Sequence, residues 1–314
     1  LRQLRADRRK VADILPRPRR DHYVLVRPLG RGGTAETWLA RREGGLFPEE
    51  VCIKRSLRHL NRLERRALLE EARLLARIRH SNVVQLLDAL EDEAGEVFLA
   101  LELVRGVDLR VLSRALGQRG RSLRPAVVAA IGMYLCRALA AAQRAVPPGI
   151  VHRDVTPHNV LVSREGEIKL ADFGIARAFD REQWTRAGLI KGKTGFFSPE
   201  QLRGDDLDVR SDLFAVGVIL YELLIGHRPV FEQASEVGAR IAEYCAALAR
   251  LAPSIPLGLC DTVASLLAAE RSDRPASADV AARLLSAFTD EQRAIDELRQ
   301  NLADVCAPRA GLLK

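Results

Sequence analysis

Between Tyr23 and Leu103 the apolar residues fall in short runs: Val24-Leu25-Val26, Glu36 to Ala40, Val51-Cys52-Ile53 and Val97 to Leu101. Runs of this length, bounded by glycine, proline and charge, predict strands. One stretch in this region keeps a helical period instead, from about Arg62 to Ile78, where Leu68, Ala72, Leu75 and Ile78 recur every three or four residues. From Leu109 onward the helical period dominates, over Pro125 to Val146, Arg210 to Leu224, Ser235 to Leu251, Asp261 to Ala269 and Ser277 to Phe288. Residues 290–314 predict a further helical extension without an evident stop or anchor. Strands around one helix, followed by helices, predict an α+β chain with a small strand-rich part and a larger helical part.

Composition narrows the setting. A chain of 314 residues, 47% of them apolar, can bury a large core. No segment approaches the roughly 20 uninterrupted apolar residues of a bilayer crossing, and Leu1-Arg2-Gln3-Leu4-Arg5 carries no signal-peptide core. No membrane span and a cytoplasmic location are therefore expected. The five cysteines (Cys52, Cys136, Cys245, Cys260 and Cys306) are scattered and never form a C-x-x-C pair, which speaks against a disulfide framework or a zinc site.

Residues 1–20 hold eight Lys or Arg against Asp7 and Asp13. Taking them from totals of 49 and 41 leaves 41 basic against 39 acidic residues, so the excess charge belongs to this arm. With Pro16 and Pro18 among arginines it reads as a solvated tail, or as a dock for an acidic partner or membrane surface. It lacks interleaved aromatics and any nucleic-acid-binding motif, so nucleic acid is not an expected partner.

Three groups of residues carry chemistry. Gly30-Arg31-Gly32-Gly33-Thr34-Ala35-Glu36 lies between two predicted strands, where glycines let backbone N–H groups approach phosphate oxygens; a plain flexible turn would read the same. Val51-Cys52-Ile53-Lys54 ends an apolar strand on a lysine, and Glu71 on the following helix could pair with it. The third group is the most specific: Val151-His152-Arg153-Asp154-Val155-Thr156-Pro157-His158-Asn159, then Ala171-Asp172-Phe173-Gly174. Asn159 follows Asp154 by 5 residues and Asp172 follows it by 18. Phosphoryl transfer needs a carboxylate to orient a hydroxyl, with carboxylate and amide oxygens to hold a divalent cation over phosphates.

Over roughly residues 23–288 these ordered signatures resemble the protein kinase superfamily, specifically bacterial eukaryotic-like (Hanks-type) Ser/Thr kinases. The resemblance implies a bilobal kinase fold. Its parts are a basic arm over 1–20, a β-rich lobe with one helix over about 21–102, a hinge over 102–108, a helical lobe over 109–289, and the extension 290–314. It implies ATP and Mg²⁺ as cofactors, with Mn²⁺ as a substitute, and a protein partner bearing Ser or Thr hydroxyls. Asp154 is then the catalytic base, Lys54 the phosphate ligand paired with Glu71, and Asn159 and Asp172 the metal ligands.

The nucleotide site implied by the resemblance comprises Leu29, Gly30, Gly32, Gly33, Thr37, Cys52, Lys54, Leu101, Glu102, Val104, Asp108 and Leu161. Leu101 falls at the gatekeeper, Glu102 to Val104 at the hinge and Asp108 at the ribose position, while Cys52 and Leu161 flank the adenine. Leu75, Leu86, His152 and Phe173 fall on an apolar stack linking the lobes. Ser198-Pro199-Glu200 resembles the A-P-E element, Asp212 the aspartate that organises the catalytic loop, and Arg274 the partner of Glu200.

Two positions depart from the pattern. Thr156 stands where the catalytic loop usually carries lysine, and Lys193 where a threonine is usual. The same two groups with exchanged places suggest that Thr156 supplies the hydroxyl and Lys193 the ammonium beside Asp154; alternatively Thr194 takes the threonine's part through a one-residue shift. The segment from Asp172 to Glu200 is expected to be mobile, with Thr185 and Thr194 as candidate autophosphorylation sites. A nucleotide-binding pseudokinase scaffold is the alternative reading, and dimerisation is compatible with the sequence.

Overall fold

The structure, a computed structural model, describes residues 14–15, 22–32, 35–44, 48–57, 62–92, 95–147, 149–173, 194–229, 237–251 and 254–306. The chain divides into two compact units. The first draws its described residues from Leu1–Arg77 and Val84–Leu103, and the second from Ile78–Val83, Val104–Gly174 and Asp180–Lys314.

The first unit is an antiparallel sheet with one helix. Its strands are β1 (Ile14–Leu15), β2 (His22–Arg31), β3 (Ala35–Glu43), β4 (Glu49–Ser56), β5 (Leu86–Glu91) and β6 (Val97–Glu102), in the order β1-β2-β3-β4-β6-β5. The two-residue β1 lies within the expected arm and pairs Ile14 with Val24 and Leu15 with Tyr23. Alternation along the strands gathers Tyr23, Leu25, Ala40, Val51, Ile53, Phe98 and Ala100 into one buried cluster, with Trp38 and Leu90 packed against it. Helix α1 (Arg62–Leu75) buries Ala67, Leu68, Ala72 and Leu75 on one side and packs on β5 and β6.

The second unit centres on two apolar helices, α3 (Pro125–Ala145) and α5 (Val209–Ile225). Among the described residues α3 alone is long and apolar enough by length and composition to cross a bilayer, and 78% of its apolar window is buried within the fold. A three-stranded sheet of β7 (Gly106–Asp108), β8 (Val160–Ser163) and β9 (Ile168–Leu170) lies within this unit. The helices α2 (Leu109–Gly117), α4 (Pro199–Arg203), α6 (Val237–Leu251), α7 (Leu257–Leu266), α8 (Ala278–Ser286) and α9 (Glu291–Cys306) complete it.

Several elements differ from the sequence expectation. The helix expected over Asp261 to Ala269 instead begins at Leu257, because Pro256 provides an extended N-terminal boundary and Leu259, Cys260, Val263 and Leu266 form its buried side. Strands β5, β7, β8 and β9 and helix α2 carried no clear sequence period. The short strands exist through their pairing: β7 to β8 at Val107↔Val162, and β8 to β9 at Leu161↔Lys169. Gly106 permits the first of these, since a Cβ there would stand 1.8 Å from the Val162 carbonyl oxygen.

The extension, expected to lack an anchor, is part of the second unit as far as Cys306. Ala294, Leu298, Asn301 and Leu302 are buried, and arginines of the preceding elements clasp the opposite charges of α9. Arg137 meets both carboxylate oxygens of Glu291 at 2.8 and 2.7 Å, Arg124 pairs with Glu297, and Arg121 reaches Asp304 at 2.7 Å and Asn301 at 2.8 Å.

Candidate active site

In the first unit the β-pairing register sets the site. Thr37 lies opposite Lys54, which in turn lies opposite Leu99. Alternation sends Lys54 and Arg55 to opposite faces of β4, and each needs an acid because both side chains are nearly buried. Lys54 Nζ donates to Glu71 Oε1 at 2.9 Å. Glu71 falls on the buried side of α1, next to Ala72, which makes an unpaired carboxylate there costly. Arg55 donates to Glu96 Oε2 through Nε at 3.0 Å and Nη2 at 2.7 Å, a pair that no local sequence signal revealed.

At the glycine-rich turn Gly32 N–H donates to the Ala35 carbonyl at 2.8 Å, and Thr37 Oγ1 donates to the Gly30 carbonyl at 3.3 Å. Leu29, Gly30 and Gly32 are exposed, whereas Ala35, at the usual third glycine, is a buried strand residue opposite Ser56. Gly33 lies outside the described residues. Cys52 is partly buried and pairs across strands with Leu101, which is itself opposite Leu86. Glu102 turns its carboxylate to Gln85, accepting from its N–H at 2.9 Å. Leu103 belongs to the first unit and Val104 to the second.

In the second unit Asp108 caps α2, accepting from Val111 N–H at 2.7 Å, and its other oxygen lies 3.8 Å from His158 Nδ1. The β7–β8 register places Asp108 directly opposite Leu161. Between α3 and β8 runs the loop containing Asp154. Its start hangs on Asp212 of α5, whose two carboxylate oxygens accept from His152 N–H at 2.7 Å and Arg153 N–H at 2.8 Å. Burial pushes the Asp212 carboxyl up to about 7, against those two donors and the Arg153 charge, which pull it down. With a backbone N–H at each oxygen, the ionised form matches both contacts.

These bonds hold Arg153 at φ 67°, a left-handed conformation unusual for a side chain of this size. Gln201 of α4 adds a further tie, donating through Nε2 to the Arg153 carbonyl at 3.2 Å. The His152 ring accepts from Asp154 N–H at Nδ1 (3.2 Å), which assigns the ring proton to Nε2, 3.1 Å from the Ala171 carbonyl. That ring lies 4.4 Å from the ring of Phe173.

Asn159 connects the two ends of the loop. Its Nδ2 donates to the Asp154 carbonyl at 2.8 Å and to Asp154 Oδ2 at 3.1 Å, so both amide hydrogens are directed at Asp154. This orientation fixes which amide atom is the oxygen and leaves Oδ1 as a neutral acceptor. The Asn159 carbonyl accepts from Ala171 N–H at 2.8 Å, one residue before Asp172. Asp172 is exposed and sits at φ 56°. An amide oxygen and a carboxylate are the hard donors that magnesium takes alongside phosphate oxygens, and the donor set fits that ion.

Thr156 is buried, and among the described residues its Oγ1 makes no hydrogen bond. Lys193 and Thr185 lie outside the described residues. Thr194 begins a short 3₁₀ turn, Thr194–Phe196, and its side chain is not described. Beyond it Ser198 caps α4 in a reciprocal capping box with Gln201. Glu200 and Arg274 form a buried, two-pronged ion pair at 2.6 and 3.0 Å.

Lys54 and Glu71 in one unit, and Asp154, Asn159 and Asp172 in the other, are the residues expected from the sequence to carry phosphoryl transfer. The chain belongs to the protein kinase domain family, whose profile matches residues 23–285. Within it the chain is of the bacterial eukaryotic-like, Hanks type.

Particular relatives are bacterial. The chain is 35% identical over 281 residues to tyrosine-protein kinase MasK of Myxococcus xanthus (strain DK1622), covering 86% of this chain and 43% of that one. It is 34% identical to serine/threonine-protein kinase pkn3 of Myxococcus xanthus, covering 92% and 54%. Serine/threonine-protein kinase PknL of Mycobacterium tuberculosis (strain ATCC 25618 / H37Rv) is 45% identical over 159 residues, 51% of this chain and 38% of that one. The chain thus spans about half or less of the length of these relatives. Among solved structures, the Mycobacterium tuberculosis PknI kinase domain superposes with a TM-score of 0.64 at 26% identity, over 85% of this chain and 96% of that one.

Proposed function

We propose that this chain transfers the γ-phosphoryl group of ATP to Ser or Thr hydroxyls of protein substrates, in bacterial signalling that includes autophosphorylation. The observation that carries the reading is the loop in which Asn159 holds the Asp154 carboxylate while Asp212 holds the backbone two residues before it. A carboxylate fixed in this way can orient a hydroxyl group, and preorganisation of this kind is the main catalytic resource in phosphoryl transfer.

Asp154 accepts the proton of the attacking hydroxyl as its oxygen bonds to the γ-phosphorus. The bond from that phosphorus to the β–γ bridging oxygen breaks, and ADP leaves. Lys54, held by Glu71, supplies positive charge to the α- and β-phosphates. Asn159 Oδ1 and the Asp172 carboxylate hold magnesium, with manganese as a substitute. Magnesium, when bound, neutralises the phosphate charge that would repel the nucleophile. Val104 and Glu102 offer backbone groups to adenine, Asp108 a carboxylate to the ribose, and Gly30 and Gly32 a turn without Cβ atoms that phosphates can approach closely.

The Ser/Thr preference is supported by the names of pkn3 and PknL; MasK, whose name specifies tyrosine, makes the acceptor a point for measurement. The thiols of Cys136, Cys260 and Cys306, in no disulfide among the described residues, support a reducing, cytoplasmic setting. The test is incubation of the purified chain with ATP, Mg²⁺ and a mixed pool of Ser, Thr and Tyr peptides, followed by phosphosite mapping. Phosphate on Ser or Thr that disappears in Asp154→Asn is the expected result; equal labelling in that variant would overturn the reading.

A further inference from the structure

Beside the Asp154 loop the second unit contains a cavity of about 700 Å³ that none of the catalytic residues needs. It runs along α2 and the segment after it to Leu123, against the C-terminal end of α5, and His158 of the loop itself lines it. The Arg110 N–H donates to the Pro157 carbonyl at 3.3 Å, so the wall of the cavity is joined to the loop one residue before His158. A chain that presents a hydroxyl to Asp154 therefore has this cavity beside its flanking residues.

The charges of the lining are unequal. Arg110, Arg114 and Arg121 contribute three guanidinium groups, and Glu222 is the only carboxylate among the described residues of the lining. Glu222 is already engaged: its Oε1 accepts from Arg110 Nη1 at 2.5 Å, with the Glu222 side chain 15% exposed and Arg110 48% exposed. Arg121 is turned to Asp304 and Asn301. Arg114 is exposed and has no ion pair among the described residues. The Oε2 of Glu222 is buried and makes no hydrogen bond among the described residues.

We infer that this cavity selects protein substrates carrying acidic residues next to the phosphorylated hydroxyl, with Arg114 and Arg110 as the specificity-determining residues. This rests on the reading of the chain as a protein kinase. A Lys or Arg in the cavity would meet Arg114, and would have to displace Arg110 to reach the one carboxylate. An Asp or Glu meets Arg114 without displacing anything. Like charges disfavour the first occupant and opposite charges favour the second. In Arg110→Ala the Glu222 carboxylate is released, and the same cavity then has a buried acid to offer a basic residue.

The experiment measures binding, so that it does not depend on turnover. Three fluorescent peptides share one sequence with Ala at the acceptor position and carry Glu, Gln or Lys at the flanking positions. Their affinities for the full chain are measured by anisotropy at low and high salt. The expected order is Glu, then Gln, then Lys. The gap between Glu and Lys should be about fivefold for a partly exposed charge pair, and should collapse at high salt. Arg114→Glu should erase the preference, and Arg110→Ala should shift it toward Lys. Equal binding of the three peptides, tighter binding of the Lys peptide by the unaltered chain, no binding of any, or an unchanged order in both variants overturns the inference. A charge preference in a chain that fails to phosphorylate the mixed peptide pool would overturn the kinase reading while leaving the cavity's selectivity established.

Discussion

Replacing Arg274 by methionine removes a guanidinium whose five N–H donors are all engaged in the second unit. Nε donates to the Ala268 carbonyl at 2.8 Å; Nη1 to Glu200 Oε1 at 2.6 Å and the Arg210 carbonyl at 3.0 Å; Nη2 to Glu200 Oε2 at 3.0 Å and the Ala269 carbonyl at 3.1 Å. The group also lies 4.9 Å above the Phe214 ring. Methionine keeps the apolar bulk and abandons Glu200, whose other partner is the Ser211 hydroxyl at 2.7 Å. Breaking one side of a buried ion pair costs about 3–5 kcal/mol.

A second route gives a similar figure. Burial pushes the Glu200 carboxyl up, but the bonds from Arg274 and Ser211 and the Arg274 charge outweigh it and hold the group at about 2, against an ordinary value of 4.5. That difference corresponds to about 3 kcal/mol of stability. It is fully present above the ordinary value and is lost as pH falls through about 2. In Arg274→Met burial remains against only the Ser211 bond and a backbone N–H, so protonation of Glu200 harms the variant less than the unaltered chain.

Urea unfolding of both proteins across the range from about pH 7 to about pH 3 should therefore show a gap of about 3–5 kcal/mol that narrows in acid. Carboxylates common to both proteins cancel in the difference. A gap below about 1 kcal/mol at neutral pH, or one that stays constant into acid, would refute the reasoning.

Lys54→Met should keep the fold but destabilise it by about 3 kcal/mol, because Glu71 loses its buried Lys54 partner, and lower turnover about a hundredfold or more, measured by steady-state ADP release. Gly106→Ala, with its Cβ forced against the Val162 carbonyl, should separate β7 from β8 and raise the KM for ATP by way of Asp108 and Leu161, read in the same assay. Leu298→Ala should destabilise the chain by about 2–5 kcal/mol, because this side chain is on the buried face of α9, and a thermal melt would register it. Thr156→Lys and Lys193→Thr should each lose about tenfold or more in activity, while the double variant regains much of it; additive losses would remove the exchange hypothesis.

Residues close together in sequence made much of the site legible. The loop from His152 to Asn159 and the run ending at Asp172 are contiguous, so spacing alone identified Asp154, Asn159 and Asp172 as a group. The glycine run and the strand ending in Lys54 were legible for the same reason, and the apolar period of α1 located Glu71 on its helix. The helices α3 and α5 announced themselves through long apolar stretches, and α8 through its spaced apolar residues. The two- to six-residue strands β1, β5, β7, β8 and β9 did not, because segments that short have no period of their own and exist through their partners.

The tertiary structure decided what the sequence left open, because the deciding contacts join residues far apart along the chain. Asp212 reaches back 60 residues to fix the backbone at His152, and Arg110 meets Glu222 across 112 residues to remove the one acid from the cavity beside the loop. The C-terminal extension reads alone as an unanchored amphipathic helix. Its arginine clasps from Arg121, Arg124 and Arg137 lie 150 residues or more away in the chain. A hydrogen bond or ion pair requires its partners within a few ångströms and places no limit on their separation in sequence, so it leaves no local periodic trace. The sequence by itself determined which chemical groups make up the candidate site; folding determined which of them are paired and buried.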